Sequence, residues 1–238
     1  MFHRKFIGVL LILASTAVPA LADSIAQVVG LSGSATISGK AASVNSTVNE
    51  HDKIDVASGN VQLLFTDGTR LVVGEHSSLV IEKYLMKGGN KAQALGVDAL
   101  RGTFRFITGN SAKSAYDIQT ANATIGIRGT GFDFWVSQDT GVAVLKGKVH
   151  LCRKGKKSCV DIEANCHAGI AQPDGARPLL GYEQSASMKN HLPFIIDQSR
   201  LRSDFHLNTA SCERILELTN QGGGNAPPPP TGCRAKCG

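Results

Sequence analysis

The stretch Val61-Gln62-Leu63-Leu64-Phe65-Thr66-Asp67-Gly68-Thr69-Arg70-Leu71-Val72-Val73 decides the fold class. Two β-rich runs flank Asp67-Gly68, a dipeptide that signals a two-residue hairpin turn because both turn positions want positive φ. The same grammar extends outward from Ile25 to about Ile170, as short β-type runs split by glycine and turn residues. Phe104-Arg105-Phe106-Ile107 alternates apolar with polar. Phe132-Asp133-Phe134-Trp135-Val136 does the same, with Trp135 placed on the opposite face. Val142 to Leu145, Lys148 to Leu151 and Val160 to Ile162 continue the series. The connections are tight, which suits antiparallel neighbours and argues against βαβ crossovers. Glycine-bounded strand pairs recur loosely over residues 58–74 and 139–155, without a strict repeat. The expected fold is all-β: a sandwich or rolled sheet of short antiparallel strands, with a short β-solenoid as the alternative.

The character changes after about Ala171. Pro173-Asp174-Gly175 is a turn, Ser185 to Arg202 lacks alternation, and Asn208 to Leu218 reads as a short helix. Gly222 to Gly224 and Pro227 to Pro230 form a linker that cannot pack a core. The expected organisation is a leader over residues 1–22, a β domain over 23–170, a partly helical extension over 171–220, and a Gly/Pro-rich linker with a cysteine-bearing tail over 221–238.

The leader has an export plan. His3, Arg4 and Lys5 give a positive start, Phe6 to Pro19 is uncharged, and Ala20-Leu21-Ala22 is an A-x-A cleavage site before Asp23. The apolar run is short for a bilayer span, and no later segment is long and apolar enough to make one. The expectation is a periplasmic protein, with an extracellular location also open, and no transmembrane span after cleavage. The net charge of +6 falls to about +4 without the leader. That mild excess suits anionic surfaces such as phospholipid head groups or cell-wall polymer. It makes no nucleic-acid case, because the basic residues are not interleaved with exposed aromatics.

Cys152, Cys159, Cys166, Cys212, Cys233 and Cys237 form an even set, which in an exported chain reads as disulfides. Cys152 and Cys159 bracket the loop from Arg153 to Ser158, so a bridge there would staple two adjacent strands. Cys166 with Cys212 and Cys233 with Cys237 complete the assignment, out of fifteen possible sets. There is no C-x-x-C, no zinc-type spacing and no histidine cluster, so no metal ligands are assigned.

Three segments are candidate sites. In Arg128-Gly129-Thr130, the arginine could meet a carboxylate or phosphate while Gly129 lets backbone approach closely. The competing reading is a β-bulge or strand start, with Arg128 paired internally. The loop residues Arg153, Lys154, Lys156 and Lys157 could dock an anionic partner, or serve as a solvated tip that prevents edge pairing. His51-Asp52-Lys53-Ile54-Asp55 could hold a metal or do acid–base work, yet nothing else in the sequence supplies the remaining ligands. G-x-S-x-G, H-E-x-x-H and Walker A motifs are absent from the sequence. Gly126 to Gly131 is glycine-rich, but its spacing is reversed relative to a dinucleotide loop and it lies between strands. No catalytic residue and no cofactor are assigned.

From about Val28 to Gly169 the chain resembles the FecR-type periplasmic domain. Val28-Val29-Gly30-Leu31-Ser32-Gly33-Ser34-Ala35 resembles its first strand, Glu50-His51-Asp52-Lys53-Ile54 falls where the family has a Gly-Asp pair before an apolar residue, and Phe65-Thr66-Asp67-Gly68-Thr69 resembles its hairpin. Thr120 to Phe132, with Arg128-Gly129-Thr130 inside it, resembles the signature of an apolar run followed by Arg-Gly-Thr and an aromatic. Val144 to Val149 resembles the strand after it. Asn49-Glu50-His51 replaces the usual glycine, and Ala121 stands where proline is common. The founding member of the family spans the inner membrane, acts on a sigma factor inside and receives a receptor's signal outside. With a cleavable leader here, the resemblance carries over the domain and not sigma-factor control. It implies a non-enzymatic binding module in envelope signalling or assembly, with an unidentified envelope protein as partner. A cell-wall or polysaccharide-binding protein is the alternative.

Overall fold

The computed structural model describes residues 24–86 and 91–217. The expected leader, and the linker and tail with Cys233 and Cys237, lie outside the described residues.

Three long strands organise the molecule: β1 (Ala26–Ile37), β4 (Lys53–Phe65) and β7 (Ala92–Ile107). They are longer than the short strands expected, because each bends and serves two layers. The bends sit at glycines. Gly33 and Gly59 are register partners, both with positive φ, and a Cβ on Gly59 would lie 2.1 Å from the Ser32 carbonyl oxygen. Gly102 bends β7 against Ser77 in the same way. Two short strands, β2 (Lys40–Ala41) and β3 (Thr47–Val48), pair with the ends of β1.

β1 and β4 stay paired through their bend, whereas β7 changes partners at its own. The first half of β7 pairs with β6 (Ser78–Met86) on one side and β8 (Tyr116–Thr120) on the other. The second half pairs with β5 (Arg70–Val73) and β10 (Gly131–Val136). One wing continues from β8 through β9 (Ala123–Ile127), β12 (Lys148–Arg153) and β13 (Ser158–Glu163). The other continues from β10 through β11 (Thr140–Lys146), β14 (His167–Gln172) and β15 (Gly175–Leu179). The outer strands β13 and β15 meet again, with the Ala176 amide donating to Ser158 Oγ at 2.8 Å. The result is the expected rolled sheet, in the form of a small barrel. Strands run on through Leu179, because Pro173-Asp174-Gly175 turns β14 back into β15.

The β7–β8 pair is parallel. The chain leaves β7 at the end of one wing and re-enters beside its first half through residues 108–115, which close in a 3-10 turn at Lys113–Ala115. The hairpin at Asp67-Gly68 forms, with a turn longer than two residues. The Gly68 amide donates to the Phe65 carbonyl, the Phe65 amide to the Thr69 carbonyl, and only Gly68 has positive φ. Asp67 is drawn inward, fully buried. It accepts hydrogen bonds from Thr69 N and Oγ1, Ser111 Oγ at 2.6 Å and Tyr116 OH at 3.1 Å, so it ties the hairpin to the returning segment.

Leu63, Phe65, Phe104, Phe106, Phe132 and Phe134 fill the roll. A second layer covers the outside of the β7–β10–β11–β14 face: α1 (Gly181–His191), α2 (Pro193–Ile196) and α3 (Ala210–Glu217). Trp135, Met188, Leu192 and Ile195 meet there. Arg105 and Asp133, register partners on that face, form a fully buried bidentate pair at 2.7 and 2.9 Å. Arg105 also donates to the Phe194 and Phe205 carbonyls and to Gln198 Oε1. Burial pushes the Asp133 carboxyl up, against the pull of Arg105. The Cys166–Cys212 disulfide joins the start of β14 to α3. Among the described residues, no helix is long and apolar enough to cross a membrane.

Candidate binding surface

Arg128-Gly129-Thr130 is the link between β9 and β10. The Arg128 amide donates to the Lys148 carbonyl at 3.0 Å, which holds the start of the link on β12. Thr130 is buried and clamped at both ends of its peptide. Its amide donates to Thr108 Oγ1 at 3.2 Å, and its carbonyl accepts from the Thr108 amide at 3.0 Å. Gly129 has φ of +71°, and Gly147 in the β11–β12 link has φ of +79°. The two links touch backbone to backbone: a Cβ on Gly147 would lie 2.1 Å from the Gly129 carbonyl oxygen. Both glycines are therefore conformational and steric requirements.

This close crossing leaves the arginine outside. Arg128 is exposed, and its guanidinium has no hydrogen-bond or ion-pair partner among the described residues. The Lys113 side chain lies across Gly129, with Cε 2.5 Å from where a Cβ would stand. Lys146 is exposed beside Gly147. Lys113, Arg128 and Lys146 thus form a cationic end to the barrel. Sequence reading identified Arg128 and missed the two lysines, which come from segments that only the parallel return and the strand register bring alongside.

The loop Arg153 to Lys157 lies at the opposite end of the same strands. Val149 pairs with Ile127 beside Arg128, whereas Arg153 pairs with Ala123. Four residues of extended strand separate the ends by about 13 Å, so the two candidate segments do not make one site. Much of the loop's charge is turned inward. Arg153 Nη1 donates to the Asn122 carbonyl and Lys154 Nζ to the Thr120 carbonyl, each at 2.6 Å. Lys156 reaches the Asp174 carbonyl at 3.4 Å, and Lys157 is exposed. The Cys152–Cys159 disulfide joins directly opposed residues of β12 and β13 beneath this tip.

His51 to Asp55 does turn chemistry. Asp52 accepts from Ser38 Oγ at 2.6 Å and the Asn49 amide at 2.7 Å, and Lys53 pairs with Asp55 at 3.1 Å. On the outer surface of β12 and β13, Lys148 bridges Asp161 and Glu163 at 3.2 Å each, and His150 Nδ1 lies 2.7 Å from Asp161. The His150 hydrogen bond, with help from Lys148, holds the Asp161 carboxyl below its usual range.

Residues 52–150 match the FecR protein family, a span that holds the Asp67-Gly68 hairpin, Arg128-Gly129-Thr130 and β12 as far as His150. No curated protein matches the chain. Two crystal structures of a candidate anti-sigma factor from Parabacteroides distasonis, at 2.50 and 1.65 Å, are similar in fold. They superpose with TM-scores of 0.44 and 0.43 at 17% identity, covering 57% and 58% of this chain and 62% and 64% of theirs. This chain therefore spans less than two thirds of the length of those relatives.

Proposed function

We propose, from the match of residues 52–150 to the FecR protein family, that the protein is an exported, non-enzymatic binding module. It acts in the bacterial envelope, in signalling or assembly, by holding an acidic surface of a partner protein. The leader pattern in residues 1–22 supports export to the periplasm. The observation that carries the binding reading is the free guanidinium of Arg128, presented with Lys113 and Lys146 on a rigid double-glycine crossing within the family's span. A rigid scaffold presenting uncompensated charge from loops is the usual arrangement of a recognition surface.

Photo-crosslinking in living cells tests this, with one probe next to Arg128 and a second in the Arg153 to Lys157 loop. The expected result is one recurrent envelope protein captured from the Arg128 end. Capture should be lost in a Lys113→Glu, Arg128→Glu, Lys146→Glu variant that still folds. Wall fragments captured instead would replace this reading with polysaccharide binding, and salt-independent capture would remove the role of charge.

A further inference from the structure

The exposed surface of the β12–β13 hairpin gathers three metal-ligating side chains that linear spacing does not reveal. Cys152 and Cys159 are directly opposed across the hairpin. His150 precedes Cys152 by two residues, and side chains two apart on a strand share a face. One ring nitrogen of His150 and the two sulfurs all lie within 4.8 Å of one another. We propose that this is a redox-gated metal site: oxidised, the cysteines staple the hairpin; reduced, the two thiolates and the His150 imidazole bind a thiophilic d10 cation, for which zinc is the probe.

Two observations support it. The first is the support around the histidine. Asp161 stands opposite His150 in register and engages Nδ1 at 2.7 Å, while Lys148 holds the second carboxylate oxygen at 3.2 Å. A carboxylate on one imidazole nitrogen fixes the ring and leaves Nε2 as the ligating atom, the usual outer-shell arrangement at zinc. The second is access. Cys159 is exposed and Cys152 half-buried, whereas Cys166 and Cys212 are each only 1% exposed. A dithiol reductant reaches the first bridge and not the second.

The chemistry balances. A dithiol delivers two electrons and two protons; the Cys152–Cys159 bond breaks to two thiols, and the reductant closes to its own disulfide. The cation then displaces the two thiol protons. Two sulfurs and one nitrogen leave a fourth position to water, as in zinc sites with three protein ligands.

The test uses the mature chain carrying Cys233→Ser and Cys237→Ser, so that the tail thiols cannot contribute. Mild dithiol treatment followed by alkylation and mass spectrometry should label Cys152 and Cys159 and spare Cys166 and Cys212. Anaerobic titration with cobalt(II), as a spectroscopic stand-in for zinc, should give one equivalent with a thiolate-to-cobalt charge-transfer band and tetrahedral d–d bands, both erased by zinc. His150→Ala should weaken binding at least tenfold, and Asp161→Asn about tenfold. Far-UV circular dichroism should stay unchanged on reduction. Labelling of Cys166 together with Cys152, absence of the charge-transfer band, equal affinity in His150→Ala, or unfolding on reduction would each overturn the proposal.

Discussion

Arg105 and Asp133 show how one residue pair can hold a covering layer in place. The pair is fully buried, and Arg105 spends its remaining donors on carbonyls of the C-terminal extension. Removing one partner leaves the other charge buried alone. Arg105→Met is therefore expected to lower stability by about 3–5 kcal/mol, and Arg105→Met with Asp133→Leu to recover most of it. Chemical denaturation of the two variants checks this; equal losses would place the cost in the packing of the site instead. His191 makes a second prediction. It stacks on Trp135 at 5.1 Å while its outer edge stays exposed, and partial desolvation against the indole lowers its pKa from the ordinary 6.5. The folded state disfavours the protonated ring, so stability is full above pH 6.5 and falls as the unfolded chain takes up its proton below it. A His191→Phe variant should flatten the melting temperature between pH 7 and pH 5. Alternation in Phe104 to Ile107 and Phe132 to Val136 correctly put Arg105, Asp133 and Trp135 on the faces they occupy. It could not tell that a second layer buries that face, because period-2 patterning encodes which side a residue takes and not what lies there.

Among the elements, hairpins were legible wherever the turn announced itself. Asp67-Gly68, the tip between Cys152 and Cys159, and Pro173-Asp174-Gly175 all reverse a strand pair. The bent strands and the parallel β7–β8 pairing were not legible, since bends at Gly33, Gly59 and Gly102 look in sequence like any strand end. The same limit concealed the cationic end of the barrel, where Lys113 reaches Gly129, next to Arg128, only through that parallel return. The stapled hairpin closes a short loop, so Cys152→Ser with Cys159→Ser should cost about 2–3 kcal/mol by chain entropy and keep the fold. Identical melting of wild type under oxidising and reducing conditions would count against the staple. In β11, Gly141 makes room for Trp135: a Cβ there would stand 1.9 Å from the indole ring. Gly141→Ala should displace the ring and cost about 1–3 kcal/mol, visible as a shift in tryptophan fluorescence.

At the scale of the whole molecule, the extension is a structural layer and not an appendage. Val72 on the outer face packs with Phe194, Leu201 and Phe205, and Trp135 packs with Met188, Leu192 and Ile195. Gln62 donates to the Arg200 carbonyl and accepts from the Arg202 amide, tying β4 to the same segment. Noncovalent packing and the Cys166–Cys212 link both hold this layer, and two variants separate them. Cys166→Ser with Cys212→Ser removes a constraint across a sequence separation of 46 residues, worth about 4 kcal/mol by chain entropy, yet keeps the layer's contacts around Trp135, Met188, Leu192 and Ile195. A chain of residues 23–180 removes the layer itself, exposing Trp135, Val72 and the buried Arg105–Asp133 pair to water. The first variant should melt cooperatively at a lower temperature. The second should bind a hydrophobic dye and lose a sharp transition, because a contiguous apolar face with an opened ion pair stays in water. A truncated chain that melts as sharply and as high as the intact one would show instead that the barrel carries its stability alone.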